Sequence, residues 1–319
     1  MQPLLEVRDL HTSFFTPQGE VRAVDGVSFV ATPGKLTGIV GESGSGKTVS
    51  VLSIMRLLPD AARITSGSIL FEGADLLKLS EVEMRAIRGA RIAMIFQEPM
   101  TSLNPVFTIG SQVGEAIRLH QKTSRAETRK RTIEALRLVG IADAERRIDN
   151  YPHQLSGGMR QRVMIAMALS CNPRLLIADE PTTALDVTIQ AQILDLIRDL
   201  QAKLGLAVIL VTHDLGIVAQ YADEVTILYA ARVMEQTSAA ELFRNPLNPY
   251  TNGLLASIPP IGGHQRRLQA IPGVIPSALN PPAGCRFHPR CPRAIDDCAR
   301  TVPPLEQKTP NHYAACIRV

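Results

Sequence analysis

The stretch Leu36-Thr37-Gly38-Ile39-Val40, followed at once by Gly41-Glu42-Ser43-Gly44-Ser45-Gly46-Lys47-Thr48, decides the fold class. The first five residues are mostly apolar and partly β-branched, which predicts a buried strand. Apolar residues then recur at helical spacing from Thr48 to Leu58. A strand, a glycine-rich turn and a helix N-terminus together attract phosphate groups through backbone N–H groups and the helix dipole. In this pattern Lys47 binds the β- and γ-phosphates and the Thr48 hydroxyl binds Mg²⁺.

Two acids follow a later apolar run. Leu175 to Ala178 predicts a short buried strand, and Asp179 and Glu180 come directly after it. Acids in this position are commonly a solvated strand end, but their place downstream of a phosphate loop favours catalysis. We therefore expect Asp179 to bind Mg²⁺ and Glu180 to polarise the attacking water as a general base.

A second glycine-rich segment, Leu155-Ser156-Gly157-Gly158-Met159, lies between the phosphate loop and the acids. A phosphate loop alone indicates only nucleotide binding. The additional segment, led by a serine, suggests that ATP is enclosed by two proteins, each supplying half of the site. The second protein is either another copy of this chain or a similar partner.

Composition limits the function classes. The chain has 319 residues, 45% of them hydrophobic, and a formal net charge of +4, which fits about two domains. Lys and Arg form no long block and no stripe with aromatic residues, so the sequence gives little indication of nucleic-acid binding. No apolar run reaches the roughly 18–20 residues of a membrane span, and the N-terminus lacks a signal pattern. We expect a cytoplasmic protein that reaches a membrane only through a partner.

Strand and helix patterns alternate along most of the chain, which predicts an α/β fold with a mostly parallel, doubly wound sheet. Residues 110–140 are helical in pattern and indicate an insertion, and Ser124 with Glu127 three residues later predicts a helix N-cap. Prolines crowd the chain after about Asn245. We expect an ATPase domain over residues 1–250, with a helical subdomain at about 99–157, and a small C-terminal extension over residues 251–319.

In this order the motifs resemble those of the ATP-binding cassette (ABC) ATPases over residues 5 to about 245. The motifs that carry the resemblance are the phosphate loop, Gln97, Leu155 to Gly158, Asp179-Glu180, Ala184-Leu185-Asp186 and His213. The resemblance implies a RecA-like P-loop NTPase core with an antiparallel β subdomain. It also implies that two cassettes pack head to tail around two ATP molecules.

The resemblance further implies individual roles. Ser156, Gly157 and Gly158 contact the γ-phosphate of the opposite site, and Asp186 makes an intersubunit contact. Gln97 senses Mg²⁺ and water, and His213 reads the γ-phosphate. Phe14 stacks on adenine, with its neighbour Phe15 as the alternative, and Arg162 is expected among the nucleotide-binding residues.

A closer resemblance is to the ATPase subunits of dipeptide/oligopeptide permeases. Residues 96–105, 151–154 and 180–188 carry it, and Thr182-Thr183-Ala184 is similar to the first of the two ATPase subunits that such importers pair. It implies a second ATPase subunit, two transmembrane permease subunits and an extracytoplasmic substrate-binding protein, with this chain peripheral on the cytoplasmic face. Nickel or glutathione import, and a soluble cassette ATPase acting on nucleic acid or ribosomes, remain the alternatives.

Four of the five cysteines, Cys285, Cys291, Cys298 and Cys316, fall in the last 35 residues, while Cys171 is expected in the core. Their spacing fits neither zinc-ribbon CxxC pairs nor ferredoxins, and a disulfide framework is unexpected in the cytosol. Four thiols in a proline-rich segment suggest one tetrahedral centre. The resemblance implies a 4Fe–4S cluster, with Zn²⁺ or free thiols as alternatives. We expect ATP binding to be independent of this tail.

The segment Glu98 to Gly110 joins Gln97 to the helical insertion. The apolar residues Met100, Leu103, Val106 and Phe107 stand there among turn-forming residues, and we expect their side chains to be exposed. Packing on its own domain is one interpretation of these apolar side chains. We expect instead that the segment forms a socket for a short cytoplasmic helix of a membrane subunit.

Overall fold

A computed structural model describes residues 2–97, 102–183, 185–258 and 270–319. Its contacts divide the chain into two compact units. The first comprises Met1–Thr32, Leu36–Leu77 and Val211–Val319, and the second comprises Pro33–Lys35 and Lys78–Leu210. The phosphate loop and the C-terminal tail therefore belong to the same unit.

The elements follow the chain in a largely alternating order. The first are β1 (Leu5–Thr16), β2 (Gly19–Ala31), β3 (Leu36–Val40), α1 (Lys47–Met55), β4 (Ala62–Phe71), β5 (Ala74–Asp75), α2 (Glu81–Ile87) and β6 (Ile92–Ile95). Next come α3 (Ile109–Gln121), α4 (Arg125–Leu138), α5 (Ala144–Arg147), α6 (Gly157–Leu169), β7 (Leu175–Asp179), α7 (Val187–Leu204) and β8 (Ala207–Thr212). The last are α8 (Leu215–Tyr221), β9 (Glu224–Tyr229), β10 (Arg232–Ser238), α9 (Ala239–Arg244), α10 (Pro249–Ala256), α11 (Asp296–Arg300), β11 (Glu306–Thr309) and β12 (His312–Ala314).

The first unit contains an antiparallel sheet in the order β2-β1-β4-β5. Leu5 of β1 lies opposite Ala31 of β2 on one side and Phe71 of β4 on the other. All three of these residues are buried, so this end of the sheet packs into the core. The antiparallel subdomain that the resemblance implied is present.

The first unit also contains the strand that leads into the phosphate loop. Strand β3 is buried over its whole length and pairs in parallel with β9, with Ile39 opposite Thr226. Beyond β9 lie β10, β12 and β11. Strand β12 comes from the tail and pairs antiparallel with β10, and the buried His312 imidazole lies 2.7 Å from the Glu235 carboxylate. The tail thus extends the sheet that contains β3, the strand leading into the phosphate loop.

The second unit combines parallel strands with the helical insertion. Met94 of β6 lies opposite Ile177 of β7, and β8 is the next strand. The Ser124 hydroxyl accepts a hydrogen bond from the Glu127 N–H, so the predicted cap of α4 is confirmed. Among the described residues no helix is both long enough and apolar enough to cross a membrane.

Candidate functional site

Two glycines of the phosphate loop, Gly41 and Gly46, are required by close backbone contacts. A Cβ atom on Gly41 would lie 2.1 Å from the Leu228 carbonyl oxygen. Gly46 has a φ of +97°, and a Cβ atom there would lie 2.3 Å from the Ala23 carbonyl oxygen. Only glycine fits both positions, and the turn that results delivers the chain to the N-terminus of α1.

Lys47 begins helix α1, and its side chain folds back over the loop. Its Nζ atom donates to the carbonyl oxygens of Gly41 at 2.7 Å and Glu42 at 3.0 Å. The side chain is buried, which is rare for lysine unless it is paired. The ammonium group therefore lies within the ring of backbone groups that the sequence predicted to surround the phosphates.

Gln97 and Glu180 lie together in the second unit. The Gln97 Nε2 atom donates to Glu180 Oε2 at 3.1 Å, and the Thr183 hydroxyl donates to the same oxygen at 3.0 Å. Glu180 has a φ of +45°, in the left-handed region that non-glycine residues adopt only at a cost of about 1–3 kcal/mol. The strained turn after β7 thus presents a carboxylate held by two donors, while the preceding Asp179 is buried.

The second glycine-rich segment forms an exposed helix N-terminus. Ser156 caps α6 by accepting a hydrogen bond from the Met159 N–H, and Gly157 and Gly158 occupy the first turn. Ser156 and Gly157 are exposed, whereas a Cβ atom on Gly158 would lie 2.8 Å from Ile189 Cγ2. A helix terminus of this kind attracts anions, and small residues allow a ligand to approach it closely.

Of the other expected site residues, two are exposed and one is hydrogen-bonded within the helical insertion. Asp186 is exposed and caps α7 through the Ile189 N–H, and His213 is exposed directly after β8. Arg162 donates to the Val139 carbonyl at 2.6 Å, inside the helical insertion. Ala184, which belongs to a motif of the family resemblance, lies outside the described residues.

The two phenylalanines expected near adenine differ in exposure. Phe14 is half-buried in β1 and lies opposite Val21 and Ala62. Phe15 is 50% exposed, and the Arg63 guanidinium carbon lies 5.9 Å from its ring centroid. Phe15 therefore offers more ring surface for stacking, although Phe14 remains the residue that the resemblance favours.

The four tail cysteines, Cys285, Cys291, Cys298 and Cys316, line one cavity of the first unit. The Cys285 N–H donates to the Cys298 carbonyl at 2.8 Å, an approach that Gly284 permits because a Cβ atom there would lie 2.3 Å from that oxygen. Burial raises the pKa of the Cys285 thiol, while hydrogen bonds from two backbone N–H groups act in the opposite direction. The Arg318 N–H donates to Cys316 Sγ at 3.4 Å.

The geometry of these thiols does not establish a metal centre. Across the described ranges of the chain, no three His, Cys, Asp or Glu side chains are arranged to hold a metal ion. The predicted 4Fe–4S or zinc site is therefore not supported by the side-chain arrangement. The donor set and the shared cavity do fit such a group.

The tail also supplies two arginines that the sequence analysis missed. They lie in the segment Cys285–Cys291, which we call the arginine segment. Arg286 binds the Asp25 carboxylate and the Ala230 carbonyl, and Arg290 binds the Glu42 carboxylate of the phosphate loop. The sequence shows only two arginines near Phe287, between Cys285 and Cys291, and does not identify their distant partners.

An aromatic cluster packs against the arginine segment. The ring centroid of Phe287 lies 5.3 Å from that of Tyr229 and 5.2 Å from that of Tyr250. All three side chains are buried, and burial raises the pKa of both tyrosines. The cluster anchors the segment beneath the phosphate loop, because the Tyr250 hydroxyl accepts the Glu42 N–H at 3.2 Å.

The segment expected to contact a membrane subunit is only partly described, since Glu98 and Met100 lie outside the described residues. Val106 and Phe107 are 70% and 54% exposed, as the expectation requires. Leu103 is only 2% exposed, so its grouping with exposed-type residues was wrong. When a few apolar residues stand among turn-forming residues, the sequence does not show which of them are buried and which remain on the surface.

Comparisons with known families agree with the motifs. Residues 24–183 match the ABC transporter family, and residues 234–298 match the family described as the C-terminal region of oligopeptide/dipeptide transporters. The second match includes the arginine segment and three of the four tail cysteines.

Similar proteins extend over nearly the whole chain. A probable peptide ABC transporter ATP-binding protein of Sinorhizobium fredii is 56% identical, over 99% of this chain and 95% of that protein. The oligopeptide transport ATP-binding protein AppD of Bacillus subtilis is 52% identical, over 96% and 93%. Among solved structures, a dimeric bacterial ABC transporter cassette aligns with a TM-score of 0.65 and 28% identity, over 74% of this chain and 98% of that one.

Proposed function

This chain belongs to the ABC transporter family, and we propose that it is the ATP-hydrolysing subunit of an importer that moves di- and oligopeptides across the cytoplasmic membrane. The peptide cargo is taken from the relatives, whose names specify peptide, dipeptide or oligopeptide transport. The match of the tail to the peptide-transporter C-terminal region supports the same cargo class.

In the first unit the phosphate loop binds the nucleotide. Lys47 exchanges its two carbonyl contacts for the β- and γ-phosphates, and the Thr48 hydroxyl holds Mg²⁺. Phe14 or Phe15 stacks on adenine from β1. His213, exposed after β8, reads the γ-phosphate.

In the second unit Glu180 acts as the general base, and Asp179 and Gln97 are the residues that would bind Mg²⁺ there. The observation that carries this assignment is the Glu180 carboxylate, held by Gln97 and Thr183 on a strained turn. Because two donors fix its orientation, the carboxylate is preorganised to accept a proton from water. Ser156, Gly157 and Gly158, of which the first two are exposed, bind the γ-phosphate of the nucleotide held by a second cassette. Asp186 contacts that second cassette.

Transport in a reconstituted system tests the proposed function. The chain is combined in proteoliposomes with its permease subunits, the second ATPase subunit and the substrate-binding protein, and uptake of a labelled dipeptide is measured. We expect uptake that requires ATP and Mg²⁺ and that Lys47→Ala abolishes. ATP-driven uptake of nickel or glutathione but not of peptide would contradict the proposed cargo. Full uptake without ATP would contradict the proposed role of this chain.

We propose that Val106 and Phe107 contact a cytoplasmic helix of a permease subunit. Both are exposed apolar residues on the segment that follows Gln97, so a docked helix there would move with the site. Phe107→Asp should uncouple transport while ATP binding by the isolated chain persists. Leu119→Asp is the matched control, because Leu119 is an equally apolar, exposed residue of the same insertion. Equal transport by both variants would contradict docking at this segment.

We propose that the four tail thiols hold a metal centre, with a 4Fe–4S cluster favoured over Zn²⁺. The shared cavity and the N–H groups directed at Cys285 and Cys316 support it, since such hydrogen bonds stabilise thiolates that bind metals. Anaerobically purified protein should contain about four iron and four sulfide per chain, and Cys298→Ser should remove them. A content of one zinc per chain would identify the metal as Zn²⁺. Alkylation of all four thiols in native protein would contradict a metal site.

A further inference from the structure

The arginine segment places one guanidinium directly on the phosphate loop. The Arg290 Nη1 and Nη2 atoms donate to the two carboxylate oxygens of Glu42 at 2.8 and 3.1 Å. The Arg290 side chain is 4% exposed and that of Glu42 is 25% exposed. A bidentate arginine–carboxylate pair is directional, so the position of one group fixes that of the other.

Arg290 is itself held on several sides. Its Nε atom donates to the Pro272 carbonyl at 3.0 Å, and Nη2 donates to the Ile271 carbonyl at 3.3 Å. Nη1 also reaches the Tyr229 hydroxyl at 3.3 Å. The guanidinium therefore has little freedom to follow Glu42, and Glu42 must instead conform to it.

Glu42 is the residue through which the loop makes several of its contacts. Its N–H donates to the Tyr250 hydroxyl, and its carbonyl oxygen accepts from Lys47 Nζ at 3.0 Å and from the Ser45 N–H at 3.2 Å. Holding the Glu42 side chain thus also holds the carbonyl that positions the Lys47 ammonium.

Charge gives Arg290 a second role. Residues 41–48 contain one acid, Glu42, and one base, Lys47, so the loop alone carries no net charge. A carboxylate beside bound phosphates repels them, and the repulsion is strong at a partly buried site. The Arg290 guanidinium neutralises this carboxylate and leaves the loop with a net positive neighbourhood.

We propose that Arg290 is a positioning residue for nucleotide binding, which neutralises Glu42 and fixes the phosphate loop in the conformation that accepts ATP. This role rests on the proposed ATP site and assigns part of it to the tail. It replaces the expectation from the sequence that ATP binding is independent of the tail.

The test is calorimetric titration of the full-length chain with Mg-ATP and with Mg-ADP. Arg290→Gln should raise the dissociation constant for ATP about tenfold, the scale of one charge pair near a protein surface. The increase should be smaller for ADP, which carries less negative charge. Arg300→Gln is the matched control, because Arg300 is an exposed arginine of the same tail, and it should leave both constants unchanged.

The double variant Arg290→Gln/Glu42→Gln tests the neutralisation of Glu42 and distinguishes it from mere support of the fold. Removing the carboxylate removes the repulsion, so the double variant should recover to within about threefold of the wild-type affinity for ATP. Loss of structure would not be rescued in this way. A double variant that binds ATP as weakly as Arg290→Gln overturns the proposal.

A charge-preserving variant covers the case in which Arg290→Gln does not fold. Arg290→Lys keeps the positive charge but loses the bidentate geometry, so it should bind ATP more weakly than wild type, by less than about tenfold. Arg290→Lys protein that binds more than about tenfold more weakly overturns the proposal. A wild-type chain that binds no ATP overturns the proposed function as well, whereas equal binding by wild type and Arg290→Gln overturns only the role of Arg290.

Discussion

Replacing Glu180 by Gln removes the proposed general base with little change in shape. The two residues that hold the carboxylate, Gln97 and Thr183, both donate to the same oxygen, Oε2. An amide whose oxygen takes that position accepts both hydrogen bonds, and its NH₂ group replaces Oε1. We therefore expect Glu180→Gln to fold normally, to bind ATP and to lose turnover.

The size of the loss follows from the role. A positioned general base contributes roughly 10²–10⁴ in rate, which corresponds to about 3–5 kcal/mol of transition-state stabilisation. ATP binding should not weaken, because the substitution removes a negative charge from a site that binds an anion. The expected signature is thus a much lower turnover number with an unchanged or smaller dissociation constant.

The assay is phosphate release by the assembled transporter, together with calorimetric titration of ATP. Glu134→Gln is the matched control, since Glu134 is an exposed glutamate of α4 and undergoes the same chemical change. The control should hydrolyse ATP at the wild-type rate. Turnover by Glu180→Gln within about twofold of wild type would remove Glu180 from the mechanism.

Three further perturbations test the first unit. Phe287→Ala should lower the free energy of unfolding by about 3–5 kcal/mol in urea titrations, because it empties the centre of a buried aromatic cluster. Gly46→Ala should abolish ATP binding in a titration, whereas Gly44→Ala, whose Cβ atom would meet nothing within 4 Å, should retain part of it. Burial pushes the pKa of Asp25 up, but the hydrogen bond and charge of Arg232 and the charge of a second arginine hold it below its ordinary value. Asp25 should therefore stabilise the fold above about pH 4, and urea titrations should show that contribution declining as the pH falls, but not in Asp25→Asn.

Local patterns predicted the parts of the site that local physics determines. The run from Leu36 to Thr48 specifies a strand, a turn that only glycine allows and a helix start, and the structure has all three. The cap of α4 at Ser124 was predictable for the same reason, because both partners of its hydrogen bond lie within four residues. The hydrogen bond between Gln97 and Glu180 required knowledge of which strands lie side by side, and there the family resemblance was needed.

Contacts between distant parts of the chain were not predictable in this way. Arg290 and Glu42 are 248 positions apart, and neither residue type is unusual in its own segment. Leu103 was misjudged because its neighbours are turn formers, whereas its burial is decided by packing that the sequence does not reveal. Burial and the choice of interaction partner depend on tertiary packing, so local sequence patterns do not predict them.

The arginine segment has a practical consequence for protein engineering. The cassette and its tail are not interchangeable modules, because Asp25 and Glu42 in the cassette are matched to Arg286 and Arg290 in the tail. Truncation near residue 250 removes Arg290 from the half-buried Glu42 and Arg286 from the buried Asp25, which then keeps Arg232 as its arginine partner. A chimera with another cassette should therefore transfer these two acids and their two arginines together.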